Sequence, residues 1–206
     1  MSRVVLTLTG VGAMRSPRYA PAGLLVAHAR TRVQIDGGAE SAPSGRLAAW
    51  LVTDERGELM PEIRGECRAR GLVPRIATVR AGTMEIRPHA VTHTSHRAVG
   101  YEIRLGRVRV VWAPEFWIFP RWAAGADLLF AEAAGWSSPI RFAGGVGGHA
   151  SALEVARQAE RHRVRRLVFA HIGRPTIRAI GAGLRPPFGK LGADGQRFVV
   201  RNGSLT

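Results

Sequence analysis

A carboxylate or imidazole that ends an apolar strand is held rigidly while the loop beyond it opens to solvent, so such positions are where chemistry can be built. Residues of this kind recur along the chain: Asp54 and Glu58 after the run AAWLVT, His93 in PHAVTHTSH, Glu115 after VVWAPE, and His171 after LVFAH. Carboxylates mixed with imidazoles are the donor set of a divalent cation site, provided the strand ends converge. Cys67 is the single cysteine, which excludes an internal disulfide and a thiolate-built zinc knuckle and leaves metal binding to oxygen and nitrogen.

The elements that would carry these residues are mostly short strands. Val4, Leu6 and Leu8 alternate with Val5, Thr7 and Thr9, the two-residue period of a half-buried strand over 3–9. Apolar runs at 23–29 and 32–36 read as a meander ending in Gly37-Gly38, and 48–53 as a buried strand leading into an acidic turn. A helix of about 12 residues follows, with Ile63 and Cys67 four apart and Gly71 as its stop. Further strands are expected at 75–79, 83–87, 99–105, 108–113 and 127–132. Ser151 begins a second helix running to about His162, and Glu154 three residues on has the spacing to reach back in a capping box. The last strong strand, 166–170, delivers His171, and residues 185–206 read as a Pro/Gly-rich tail with a short terminal strand at 197–201. Two strand-rich halves, each closed by a helix, predict a four-layer arrangement in which two mixed sheets face each other with helices outside, all in one domain over 1–206. A single mixed sheet is the alternative.

The chain has 206 residues, 46% of them hydrophobic, enough to fill a core and too many for a disordered basic tail. No apolar run approaches membrane-spanning length and the N-terminus has no signal-peptide pattern, so a cytoplasmic protein without membrane contact is expected. The formal charge of +15 comes from 30 Lys and Arg against 15 Asp and Glu, and Lys190 is the only lysine. The arginines are spread along the chain, whereas a nucleic-acid binder concentrates its charge on one face. The dense cluster at Arg157, Arg161, Arg163, Arg165 and Arg166 is either a solvated helix face or a phosphate-binding patch.

The run LTLTGVGAMRSPRYAPAGLLV followed by TRVQIDGG resembles the opening meander of metallo-β-lactamase-fold hydrolases, in particular the branch of phosphodiesterases and the transfer-RNA 3′ endonuclease. In that superfamily the next strand ends in Thr followed by His-x-His-x-Asp-His. Here Thr53 is followed by Asp54-Glu55-Arg56-Gly57-Glu58-Leu59, so Asp54 and Arg56 stand where two histidines would be, Glu58 where the aspartate would be, and Leu59 where the last histidine would be. Later motifs match better: His93 resembles the third-motif histidine, WAPE ending at Glu115 the bridging aspartate segment, LVFAHIG the last ligand motif at His171, and GGHASALEVARQA the stretch whose histidine, here His149, protonates the leaving group. The resemblance spans residues 1–180 and implies the αββα fold, hydrolysis of a phosphoester or related ester, and one or two divalent ions, manganese, zinc or iron. It implies the ligands Asp54, Glu58, His93, Glu115 and His171, with Asp54, Arg56 and His149 as catalytic residues. The mechanism it implies is a metal-bound hydroxide attacking while His149 donates a proton.

Plainer roles stand beside these. Asp54 and Glu58 could satisfy the amides of the helix that follows, and His93 and His171 could be hydrogen-bonded core residues. His96 is read as supporting, in reserve as a ligand or base. Glu115 among WAPEFWIFPRW needs a partner such as a metal or an arginine, and Asp36 could orient a ligand. Trp112, Phe116, Trp117, Phe119 and Trp122 are either core cover or an apolar wall beside the metal. The expected partner is a small-molecule or nucleotide-type substrate; nucleic acid and a homodimer stay open, as does a catalytically inactive relative serving as a binding module.

Overall fold

A computed structural model describes residues 3–201 and 204–205. Met1, Ser2, Asn202, Gly203 and Thr206, the ends of the expected 1–206 domain, lie outside them. The chain opens with an antiparallel meander, β1 (Arg3–Gly10), β2 (Gly23–His28) and β3 (Thr31–Asp36), and β4 (Ala49–Leu51) then pairs in parallel with β3. In β1 the buried positions are Val4, Leu6 and Leu8, as their alternation requires. Helix α1 (Met60–Ala69) follows, and its buried Met60, Ile63 and Cys67 pack against Trp50 and Val52.

The second sheet takes its strands from the middle of the chain: β5 (Val79–Ala81), β6 (Met84–Val91), β7 (Ala98–Leu105), β8 (Val108–Ala113) and β9 (Leu128–Ala133). A short ribbon, β10 (Ile140–Arg141) with β11 (Gly148–His149), precedes α2 (Ala152–Arg161). Then come β12 (Leu167–Ile172), α3 (Arg174–Gly181), β13 (Lys190–Leu191), β14 (Arg197–Arg201) and β15 (Ser204–Leu205). Among the described residues one sheet has six strands in the order β15-β14-β1-β2-β3-β4, the other seven in the order β13-β12-β9-β8-β7-β6-β5. Both mix parallel and antiparallel pairs. Strands β9 and β12 are buried at every position, so apolar residues run on without alternating, because the facing sheet covers one side and helix α2 packs on the other.

The structure departs from the expected elements in several places, among them 75–79, where Arg75 makes only an isolated bridge to Leu51 and the strand β5 begins at Val79. Residues after 185 do not form a tail: β13 pairs with β12, and β14 lies between β15 and β1, where Phe198 and Val200 join the core. Helix α3 had not been expected. At Ser151 half of the capping box forms, Ser151 Oγ accepting the Glu154 amide at 3.3 Å, while the Glu154 carboxylate turns outward to Arg157 and Gln158. No helix among the described residues is long and apolar enough to cross a membrane.

Candidate metal centre

The ends of β8, β9, β11 and β12 and the loop after β6 meet at one edge of the two sheets, around a cavity of about 620 Å³. Into it come His93, Glu115, His149 and His171. Glu115 stands between two imidazoles: its Oε2 is 2.8 Å from His93 Nε2 and its Oε1 3.4 Å from His171 Nε2. The opposite nitrogen of each ring is already committed. His93 Nδ1 donates to the Gly148 carbonyl at 2.9 Å, and His171 Nδ1 to Glu132 Oε1 at 3.0 Å. His149 Nδ1 donates to the other oxygen of Glu132 at 2.8 Å. His93 and His171 thus turn Nε2 toward Glu115, and all three rings have Nδ1–H held by an acceptor behind, the arrangement that fixes the tautomer of metal-ligating histidines.

Backbone geometry aims these groups. His171 has φ +57°, a left-handed conformation at a register shift in the pairing of β12 with β9, and this turns its side chain out of the strand's ordinary direction. Asp36 has φ +52° and is tied by three donors: the Thr53 amide at 2.7 Å, Thr53 Oγ1 at 3.0 Å and Trp112 Nε1 at 2.7 Å. It therefore locks the end of β3 to the chain leaving β4 and to β8, beneath the site. The Gly147-Gly148 pair brings β11 against the loop of His93 so closely that a Cβ at Gly147 would lie 1.9 Å from the His93 carbonyl oxygen.

Electrostatics follow from this packing. Burial alone would lower the pKa of His171, but the Glu115 and Glu132 carboxylates outweigh it and raise it to about 9. For His93 burial is likewise outweighed, by the Glu115 contact, and its pKa also rises. Burial opposes charge on Glu115 and Glu132 too, yet the surrounding imidazoles hold both below the ordinary carboxylate range. Asp36 has no such cation, and burial pushes it up to about 7 against the pull of its Trp112 and Thr53 donors.

Of the residues singled out in the sequence, His93, Glu115, His149 and His171 come together. Asp54 faces the same cavity but is held by His96, whose Nε2 lies 2.9 and 2.8 Å from its two oxygens, while Oδ1 also accepts the Arg56 amide at 2.7 Å. Glu58 and Arg56 are exposed residues of the cavity wall. Neither Asp54 nor Glu58 caps α1, whose N-cap is Leu59 with no side-chain bond. Glu115 finds its partners in imidazoles rather than an arginine.

Glu132 was missed, although it is wholly buried and collects His149, His171, the Ala134 amide at 2.9 Å and the Phe116 amide at 3.4 Å. Its signal was present: it ends the apolar run DLLFAE, the same pattern that marked Glu115. Among the described residues, ligand atoms converge within 4.8 Å in two groups, His93 with Glu115 and His149, and Glu132 with His149 and His171.

The aromatic stretch does not wall this cavity. Trp112 and Phe116 are core, and Phe116, Trp117 and Phe119 line a separate hollow of about 370 Å³ against α2. Phe142 packs edge-on against His93 and His149 instead, at 5.3 and 5.2 Å between ring centres. In the arginine cluster, Arg157 pairs with Glu154, Arg165 with Asp127, and Arg166 lies over Phe198.

Comparison with solved structures decides the architecture. The YhfI metallo-β-lactamase fold protein of Bacillus subtilis is 15% identical and superposes with a TM-score of 0.75 over 96% of this chain and 100% of that one. The protein has the metallo-β-lactamase fold. A diphosphatase of the PhnP family (17% identity, TM-score 0.69, 97% of this chain and 98% of that one) and the short form of human tRNase Z (13%, 0.64, 96% and 98%) share it. No family model matches the sequence, and no curated protein matches it.

Proposed function

We propose that this metallo-β-lactamase-fold protein is a metal-dependent hydrolase acting on a phosphoester or related ester. The observation that carries the reading is Glu115 gripped between the Nε2 atoms of His93 and His171, each ring pinned at Nδ1 from behind. This donor set fits a divalent first-row ion: imidazole nitrogens and a carboxylate, with Glu132 as the outer partner that orients two of the rings. Such an ion, when bound, supplies Lewis acidity and lowers the pKa of coordinated water.

The chain's own groups do the remainder. Arg15, Arg56 and Arg174 line the cavity, and none has a carboxylate partner among the described residues, Arg174 donating only to the Arg15 carbonyl at 3.5 Å, so their positive charge is available to an anionic substrate. Phe142 shields His93 and His149 on one side and lowers the local dielectric around the reacting groups. That the neighbours in fold include a diphosphatase and tRNase Z supports a phosphate-containing substrate.

A second reading, a binding module that has lost hydrolysis, is favoured by the capture of Asp54 by His96. A substrate panel separates the two. After reconstitution with manganese or zinc, bis(p-nitrophenyl) phosphate should be turned over faster than p-nitrophenyl acetate, with loss of turnover in His93→Ala. No turnover of either substrate with either ion sinks the hydrolase reading.

A further inference from the structure

Wherever the fold family's first motif would supply histidines and an aspartate, this chain has Asp54, Arg56, Glu58 and Leu59. Arg56 and Leu59 have no lone pair to offer a cation. Asp54 has both oxygens engaged by His96, and its Oδ1 also by the Arg56 amide. Glu58 belongs to neither group of converging ligand atoms among the described residues. An ion in this cavity must therefore draw on His93, Glu115, His149 and His171, and among the described residues it is His149, not His171, whose ligand atom converges with those of both His93 and Glu115.

His149 is the one residue common to both converging groups. Within one of them, His149 and His171 both contact Glu132 through Nδ1, so that group is hydrogen-bonded within itself and serves to orient the rings. In the other, His93 and His149 have their Nδ1 atoms committed to Gly148 and Glu132, so Nε2 is the nitrogen each has left, and that of His93 already meets Glu115 at 2.8 Å. The neighbourhood is built to keep these two rings together: their centres are 4.8 Å apart, Phe142 packs on both, and the close passage of Gly147 past the His93 carbonyl admits no side chain.

We infer that a single first-row divalent ion is bound by His93, Glu115 and His149, with His149 a ligand rather than the proton donor. The two roles exclude each other, because Glu132 holds Nδ1 and only Nε2 remains. Bonds of about 2.0–2.1 Å set tetrahedral ligand atoms roughly 3.4 Å apart, so the His93–Glu115 contact, now 2.8 Å, must open a little on binding, within a group whose ligand atoms already lie inside 4.8 Å. Two imidazoles and a carboxylate leave a coordination position open for water or substrate on the cavity side. The inference rests on the hydrolase reading only for the choice of cavity.

Cobalt(II) titration of the ion-free full chain, followed by its visible absorption bands, tests it. The wild type should take up one equivalent per chain. His149→Ala should weaken uptake beyond the ~100-fold that loss of an outer hydrogen-bonding partner reaches, whereas Asp54→Ala should change it less than about three-fold. Uptake of two equivalents, or a loss in Asp54→Ala with none in His149→Ala, overturns the assignment. Should His149→Ala fail to fold, spin couplings between bound cadmium and the histidine nitrogens of the wild type decide the matter: coupling to His149 Nε2 supports it and its absence overturns it. Cobalt bound through His149 in a protein without esterase turnover would remove the proposed function and leave this site standing. Turnover with Asp54-dependent binding would do the reverse.

Discussion

Replacing Glu132 by Gln changes no volume and removes no ligand, yet it should disable the site. All four contacts of this carboxylate come from donors: His171 Nδ1 at 3.0 Å and the Ala134 amide at 2.9 Å on Oε1, His149 Nδ1 at 2.8 Å and the Phe116 amide at 3.4 Å on Oε2. A glutamine must turn its NH₂ toward one of these pairs. The facing imidazole can accept from it only by moving its proton from Nδ1 to Nε2, which takes away the lone pair that faces the cavity, and the facing backbone amide loses its acceptor. Breaking one side of a wholly buried ionic cluster costs about 3–5 kcal/mol, and at ~2–4 °C per kcal/mol for a chain of this size Tm should fall by roughly 6–20 °C. Metal affinity should fall by about 10–100-fold. Thermal melts and cobalt titrations of Glu132→Gln beside the wild type measure both. A Tm within about 2 °C and a dissociation constant within about two-fold of the wild type would refute the tautomer argument.

Asp36 has a folded pKa raised to about 7 from 3.8, so its stabilising contribution is complete below about pH 4 and is lost as pH rises through about 7; denaturant melts should show the stability advantage of wild type over Asp36→Asn shrinking across that window. His171, raised to about 9 from 6.5, contributes stability that is complete below about pH 6.5 and is lost as pH passes about 9, a fall in Tm that His171→Gln should not show. Gly147→Ala, with its φ of +77° and no room for a Cβ, should destabilise the fold by about 1–3 kcal/mol or more and weaken metal uptake, both read from melts and titrations of the same sample. Arg56→Ala and Arg174→Ala should each raise KM for an anionic ester by about ten-fold or less while leaving a neutral ester unaffected, which steady-state kinetics on the paired substrates would check.

How far the sequence reaches depends on whether the information is local. Strand periodicity placed β1, β3, β8 and β14 within a residue or so, because inward and outward residues alternate or run on according to which faces are covered. Helix α3 escaped notice: its eight residues follow directly on β12, carry Pro175 in their first turn and end on glycine, so nothing in composition separates it from a loop. The insertion of β14 between β15 and β1 escaped for a different reason, since pairing partners nearly 200 residues apart leave no mark on either strand. The site divides along the same line. His93, Glu115 and His171 announce themselves by ending apolar runs, and the glycines before His149 mark a tight approach. That Asp54 would be taken by His96 across 42 residues is a long-range fact, invisible in either segment alone. Glu132 is the exception, a local signal at the end of the run DLLFAE whose two imidazole partners lie 17 and 39 residues away.

Elemental analysis of the chain purified without chelator, beside His93→Ala and Glu115→Ala variants handled identically, bears most directly on the central claim that these strand ends form a metal centre. The account predicts a first-row divalent ion at near one per chain in the wild type, depleted in both variants. A wild type that holds no such ion above background, even after soaking in manganese or zinc, would contradict it.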